Sequence, residues 1–338
     1  MKRRIFAFCL LIIMLLSFAA CTSNKSVITV SGQDINEGVF IYYLDKVMSN
    51  PAQYGVKEET KENLISAAEL LCKKYGSAIA FMNENGIVIS TQRKQAVATQ
   101  VENLWSLYSA YYKSVGVEKT ELTKVITHEY RMKQLVDYYF GADGRNPVSD
   151  SDLKEEFVDL YVGFRAVAAD LTKVNDMGET IDLTEKEKTA LKKSFSSYAQ
   201  KINDGDSTIE EVNISYNDSL GLITTEEPEM SLVKKGDPMY GDGFFEKVMD
   251  VSHGRATVIE DGKTLYLIQR QKIATTDEDA FAQYRTEVLE TVKMPSVEKK
   301  INKLAKQAEC EFKESKLERI YEKLSEMRMA KSPQETTE

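Results

Sequence analysis

The chain is poor in the residues that most often carry out chemistry. Its 338 residues include two histidines, His128 and His253, and four cysteines, Cys9, Cys21, Cys72 and Cys310, with no pair at zinc-cluster spacing. Two isolated histidines leave little scope for imidazole acid–base catalysis, although composition leaves open a metal site built wholly of carboxylates. No cofactor or metal ligand set is expected. Positive charge is also short, with 44 Lys plus Arg against 53 Asp plus Glu and a formal net charge of −9. Phosphate-backbone binding needs a cationic surface to release counterions, so nucleic acid is not an expected partner. Repeats and low-complexity tracts are missing. What remains is ordinary globular composition, 42% hydrophobic and 29% charged, with length for two domains.

The one long apolar run stands at the N-terminus. Lys2, Arg3 and Arg4 precede Ile5 to Phe18, and Ala19-Ala20-Cys21 follow. A basic start, a short apolar stretch and small residues read as a secretory signal peptide over 1–20 rather than a span, which needs roughly 20 apolar residues. Phe18-Ala19-Ala20-Cys21 resembles the lipobox of bacterial lipoproteins, in which the cysteine is lipidated. The mature chain would then hang from the outer face of a bacterial cytoplasmic membrane by Cys21 and a polar tether, 21–26. Removing 1–20 takes three positive charges and leaves 41 against 53, a net of −12. Cys72 and Cys310 remain as a possible pair, but two cysteines define no framework, and buried free thiols suit them as well.

Helical spacing dominates the next region. After a strand at Val27 to Val30 and a turn at Ser31-Gly32, Phe40, Tyr43, Leu44, Val47 and Met48 form one helical face. A second face runs from Leu64 through Cys72 and Tyr75 to Met82 and stops at Asn85-Gly86. A third helix, Thr91 to Val115, places Val97, Val101, Leu104, Tyr108, Tyr111 and Val115 on one side. A fourth runs from near Thr120 to Gly141. The aromatic set Trp105, Tyr108, Tyr111, Tyr112, Tyr138 and Tyr139 offers a groove for extended peptides, with Trp105, Tyr108 and Tyr112 as the candidate client contacts. Core packing of a helix bundle requires the same spacing and is the competing account.

A turn-rich stretch, Gly141 to Pro147, marks a boundary. Beyond it, Ser149 with Asp152 opens a short helix, and Gly163 to Thr172 reads as a strand. Thr184 with Glu187 forms a capping-box pair before a helix bearing Leu191, Phe195, Tyr198 and Ile202. Short helices follow at Ile209 to Tyr216 and Phe244 to Val251. Arg255 to Ile259 and Lys263 to Ile273 are strands joined through Asp261-Gly262, a hairpin signal. From Asp277 the chain is helical, with a break expected at Met294-Pro295. Cys310 and Phe312 then alternate in a short strand, and a charged helix covers 315–330.

These pieces in this order, from VITVSGQDINEGVFIYYL to ECEFKES, resemble the extracytoplasmic foldases of the SurA and PrsA type over most of the mature chain. The resemblance implies an α+β fold. A mainly helical SurA-N-like chaperone domain would form from 27–146 and 276–330, with a parvulin-like α/β peptidyl-prolyl isomerase domain inserted at 147–275 and a loose tail at 331–338. Parvulins carry one histidine in the first strand of that domain and another in the last. Here those stretches read Phe164-Arg165-Ala166-Val167 and Thr264-Leu265-Tyr266-Leu267, without histidine, so no catalytic residue is assigned. Phe245 falls where the family places a pocket aromatic, with Met249 and Met239 near it as candidate proline or client contacts; core packing explains all three equally.

The expected function is therefore a membrane-anchored foldase or holdase for unfolded or nascent secreted polypeptides, with a degenerate isomerase site. An active isomerase with an unusual site is the first alternative, because rotating an amide needs preferential binding of its twisted form and no covalent nucleophile. A solute-binding lipoprotein is the second. It fits less well, because such chains alternate strands and helices, whereas 36–140 is helix after helix.

Overall fold

A computed structural model of the chain describes residues 26–222, 228–274 and 278–329. The signal peptide, Cys21, the tether up to Lys25 and the tail from 331 lie outside the described residues. The described residues form two compact units, one from Ser26 to Pro147 together with Leu289 to Met329, the other from Val148 to Val288.

The first unit opens with the hairpin β1 (Ser26–Val30) and β2 (Gln33–Asn36). Its two-residue loop has positive φ at both positions, 47° at Ser31 and 74° at Gly32, the geometry that matches strand twist. Ser26, expected in the tether, is already a buried strand residue, its hydroxyl donating to the Ile28 carbonyl at 3.1 Å. Asn36 then caps α1 (Glu37–Ser49), accepting from the Val39 amide at 3.1 Å. α2 (Lys61–Glu84), α3 (Thr91–Val115) and α4 (Lys119–Phe140) follow. The core joins Val27, Ile28 and Val30 of β1 to Phe40 and Leu44 of α1, Cys72 of α2 and Leu122 of α4. Gly76 is what lets α2 meet β1, since a β-carbon there would lie 2.5 Å from Val30 Cβ.

The C-terminal segment closes this unit. β9 (Cys310–Phe312) pairs antiparallel with β1, Ile28 opposite Phe312 and Val30 opposite Cys310, giving the sheet order β2-β1-β9. α10 (Glu314–Met329) adds Leu317, Ile320 and Leu324 to the same core. The helical domain is thus built from both ends of the sequence, as the resemblance implies. Cys72 is buried, Cys310 half-buried, and both are free thiols.

In the second unit, α5 (Asp150–Leu160), capped by Ser149, leads into β3 (Tyr161–Asp170). A small hairpin follows, β4 (Thr172–Val174) with β5 (Thr180–Asp182). Next come α6 (Glu185–Asp204), α7 (Ile209–Ser219), β6 (Ser231–Lys234), α8 (Phe244–Met249), β7 (Ala256–Asp261) and β8 (Thr264–Gln271). The main sheet is antiparallel in the order β6-β3-β8-β7. Strand alternation splits its residues between two faces. Val167, Ala169, Leu265 and Leu267 face α6 and α7 around Phe195, while Val162, Phe164 and Ile268 face α8.

One expectation is corrected. α9 (Glu278–Gln307) runs through Pro295 without the break expected there. Val288 and Leu289 before the proline, and Val297, Ile301 and Ala305 after it, are all buried. That buried stripe keeps its helical period across the proline, so side-chain burial offsets a hydrogen bond lost at the Thr291 carbonyl. The second unit takes in the start of α9 as far as Val288, where Phe281 and Tyr284 pack on Phe157 with ring centroids 6.1 and 5.7 Å away.

Candidate functional site

Two aromatic clusters, one in each unit, are the candidate sites. In the helical unit Trp105 and Tyr112, seven residues apart on α3, stack with centroids 6.3 Å apart and planes 1° from parallel. Tyr108 meets Tyr112 edge-on at 6.5 Å, and Tyr112 stacks on Tyr42 of α1 at 6.4 Å. The Lys113 ammonium lies 5.6 Å from the Trp105 ring centre. Trp105, Tyr108 and Tyr112 therefore form one group. Tyr138 and Tyr139 belong to another, with Phe81, so the six aromatics do not line a single groove.

The exposed edge of this cluster was only partly legible. Val97, Val101 and Val115 are buried as their spacing predicts, but Tyr108 and Tyr111 on the same predicted side are 51% and 39% exposed, and Leu107 beside them is 72% exposed. Tyr111 is tied down, its hydroxyl donating to Asp45 at 2.6 Å, and Asp45 also accepts from Arg328 of α10 at 2.6 Å. Burial of the ring, and then this carboxylate, push the Tyr111 phenol up to about 12, so it remains a donor.

Beneath α1 and α4 lies a smaller cavity of about 240 Å³ whose lining includes Tyr42, Tyr54, Met132 and His128. Burial, and secondarily the Arg131 charge, push the His128 imidazole down to about 3. It is neutral at any ordinary pH and packs 5.1 Å from the Tyr75 ring.

In the second unit, Phe164, Tyr240, Phe244 and Tyr266 converge on the α8 side of the sheet. Tyr240 and Phe244 stack at 4.2 Å, and Phe244 meets Tyr266 at 5.5 Å and Phe164 at 5.7 Å. Register explains the convergence: Ala166 opposes Ile268 and Ala168 opposes Tyr266, so the small residues leave room for the large rings on one face. The two stretches singled out for lacking histidine are thus hydrogen-bonded neighbours, and this face carries alanine and tyrosine. Burial and the neighbouring Tyr266 raise the Tyr240 phenol, so it stays protonated. Asp261 is occupied, accepting twice from the Gly241 amide at 3.0 and 2.9 Å.

Of the pocket residues expected from sequence, Phe245 and Met249 are one turn apart on α8 and half-buried against this cluster, whereas Met239 is 80% exposed. Phe245 lines a cavity of about 280 Å³ with Tyr240 and Phe244, and Met249 lines a different one of about 590 Å³ with Arg270 and His253. The centre of the cluster is Phe244, which sequence reasoning passed over for its neighbour; it is 1% exposed. Adjacent phenylalanines give no local signal of which one faces the sheet.

No protein-family profile matches the chain, and no curated protein shows significant sequence similarity to it. Its structure is similar to those of foldase and peptidyl-prolyl isomerase proteins and of SurA-like chaperones. The foldase protein PrsA from Streptococcus pneumoniae is 14% identical with a TM-score of 0.39, over 84% of this chain and 93% of that one. The foldase protein PrsA from Lactococcus lactis is 13% identical with a TM-score of 0.36, over 89% and 99%. A SurA-like chaperone of Campylobacter jejuni is 14% identical with a TM-score of 0.25, over 85% and 99%. Among the described residues no helix is long and apolar enough to cross a membrane.

Proposed function

We propose that the chain is a lipid-anchored extracytoplasmic holdase or foldase that binds unfolded or nascent secreted polypeptides, and that its isomerase site is degenerate. The observation that carries this reading is the strip Leu107, Tyr108 and Tyr111 on α3, backed by stacked Trp105 and Tyr112. Flat aromatic area with a polar rim binds apolar segments of many sequences with little ordering cost. A lipid on Cys21 would hold this surface near emerging chains and raise its effective concentration there.

The aromatic face of the second unit favours a second reading, residual prolyl isomerase activity through an apolar site that selects the twisted amide. Absence of imidazole removes acid–base assistance, and no step of amide rotation needs it.

Suppression of aggregation of an unfolded secreted protein tests the main reading. Protection at stoichiometric amounts is expected, and it should fall several-fold in a Leu107→Ser, Tyr108→Ser double variant that keeps its helical circular dichroism. No protection by the parent chain at excess overturns it. A proline-limited refolding reaction, whose slow phase lasts tens to hundreds of seconds, separates the two readings. Retention in the soluble fraction of cells after Cys21→Ser, against membrane association of the parent, checks the anchor.

A further inference from the structure

The larger cavity of the second unit, about 590 Å³, falls within the volume range of small-ligand sites, roughly 300–1,000 Å³. Its lining includes Val158 and Asp159 of α5, Met249 of α8, His253 of the following loop, and Arg270 and Lys272 at the end of β8. Three of these are basic and one is acidic, against the sign of a chain whose net charge is −9. Among the described residues, Arg270, Lys272 and His253 have no carboxylate ion-pair partner.

Arg270 and the turn that carries His253 are anchored. Arg270 donates through Nη1 to the Met249 carbonyl at 2.5 Å and the Val251 carbonyl at 2.7 Å, which fixes its guanidinium at the C-terminal end of α8. Its Nε is buried without a partner. The turn carrying His253 is stapled to the same strand residue, with the Gly254 amide donating to the Arg270 carbonyl at 2.8 Å. Gly163 of β3 keeps one wall thin, since a β-carbon there would stand 3.1 Å from Ile273 Cγ1.

We propose that this cavity is a subsite for a carboxylate group of a bound polypeptide. Arg270, Lys272 and His253 face the anion, and Val158, Met249 and Ile273 take up the apolar atoms next to it. The ligand's being a polypeptide rests on the function proposed above; the subsite rests on the cavity. An anchored guanidinium in a partly enclosed site binds an anion more strongly than a freely moving surface cation does. Partial burial, followed by the charges of Arg270 and Lys272, holds the free His253 imidazole below its ordinary pKa. A bound carboxylate opposes both cations and raises it. The complex then carries more protons than the free chain, so binding tightens as pH falls through the His253 titration, with Asp159 the only carboxylate in the lining to oppose it.

His253 also supplies the probe. His128 is held near 3, whereas His253 is exposed at the cavity, so of the chain's two imidazoles it is the proton resonance of His253 that reports on the cavity. Four probes are titrated: a blocked tetrapeptide with one glutamate, its glutamine counterpart, a tetrapeptide whose sole carboxylate is its C-terminus, and inorganic phosphate. The expected result is that a carboxylate peptide raises the His253 midpoint and the glutamine peptide does not. Whether the glutamate or the C-terminal peptide is the stronger identifies the source of the carboxylate. Lys272→Gln, at an exposed position, should weaken the effective peptide about tenfold, and His253→Gln should abolish the pH dependence of its affinity. Equal shifts with glutamate and glutamine peptides, a shift with phosphate alone, or full affinity in Lys272→Gln overturns the proposal. These readouts need no folding client. Loss of aggregation suppression with the His253 response intact removes the chaperone reading, and the converse removes the subsite.

Discussion

The two units use the same residue types in opposite ways. In the helical unit the stacked rings of Trp105, Tyr112 and Tyr42 lead outward to exposed Tyr108 and Leu107. In the inserted unit the rings of Phe164, Tyr240, Phe244 and Tyr266 close inward on the sheet, with Phe244 at the centre. The histidines divide likewise: His128 is buried in the first unit, and His253 is exposed at a basic cavity in the second. Aromatic content alone therefore does not locate a binding surface. What separates a candidate client surface from a core is whether the neighbouring chain covers the rings, and a helix or sheet packed over them decides that.

The sharpest test of this contrast is a pair of truncations. Phe244→Ala removes a fully enclosed ring and should destabilise the inserted unit by about 3–5 kcal/mol, read from hydrogen exchange of amides in β3 and β8. Tyr108→Ala removes a ring of similar size from the surface and should change stability by less than about 0.5 kcal/mol, while weakening client protection. Equal stability losses at the two positions would erase the distinction between the clusters.

The histidines sharpen it next. His128 titrates at 6.5 in the unfolded chain and at about 3 when folded, so the unfolded state takes up the proton first as pH falls. Stability is unaffected above 6.5 and declines between 6.5 and 3, with a limiting slope of about 1.4 kcal/mol per pH unit from this group. In His128→Gln the decline over that window should be shallower, as read by urea midpoints of the Trp105 fluorescence transition. His253→Gln should act in the same direction, because partial burial and then the charges of Arg270 and Lys272 also hold that imidazole below its ordinary pKa, but at this exposed position solvent screens the effect.

How much of this was readable in the sequence follows the same division between local and tertiary control. The caps at Asn36, Ser149 and the Thr184–Glu187 pair are formed as expected, because a cap involves residues within one turn. The return of Cys310 to Phe312 to β1 was legible through the resemblance, and the register confirms the strand. The exposure of Tyr108 and Tyr111 was not, because α3 carries apolar residues on more than one stripe and only the packing of α1 and α4 selects which is covered. Pro295 misled for a related reason: a propensity argument stops a helix there, and burial on both sides overrides it. Phe244 rather than its neighbour Phe245 fills the centre of the cluster, a choice of one residue, about 100° of helix, set by the position of a sheet formed from distant segments.

The smallest expected effect is local and tests whether the two units also differ in acid response outside their histidines. Glu187 closes the capping box of α6 by accepting from the Thr184 amide at 2.8 Å and its hydroxyl at 2.7 Å, and it meets the Lys173 ammonium at 2.5 Å. Hydrogen bonds from Lys173 and then from Thr184 hold its carboxyl down at about 2, against 4.5 unperturbed. A depressed carboxyl contributes stability that is complete above 4.5 and is lost as pH falls toward 2. The group is solvent-exposed, so salt screens its ion pair and the hydrogen bonds to Thr184 are what persists at high ionic strength. Glu187→Gln keeps an acceptor at the cap but cannot titrate. The expected result is a small loss of α6 protection at neutral pH and, in that helix alone, the absence of the parent's further loss between pH 4.5 and 2, followed by hydrogen exchange of the Glu187 and Lys188 amides. An acid response in α6 that survives the substitution would assign it to other carboxylates.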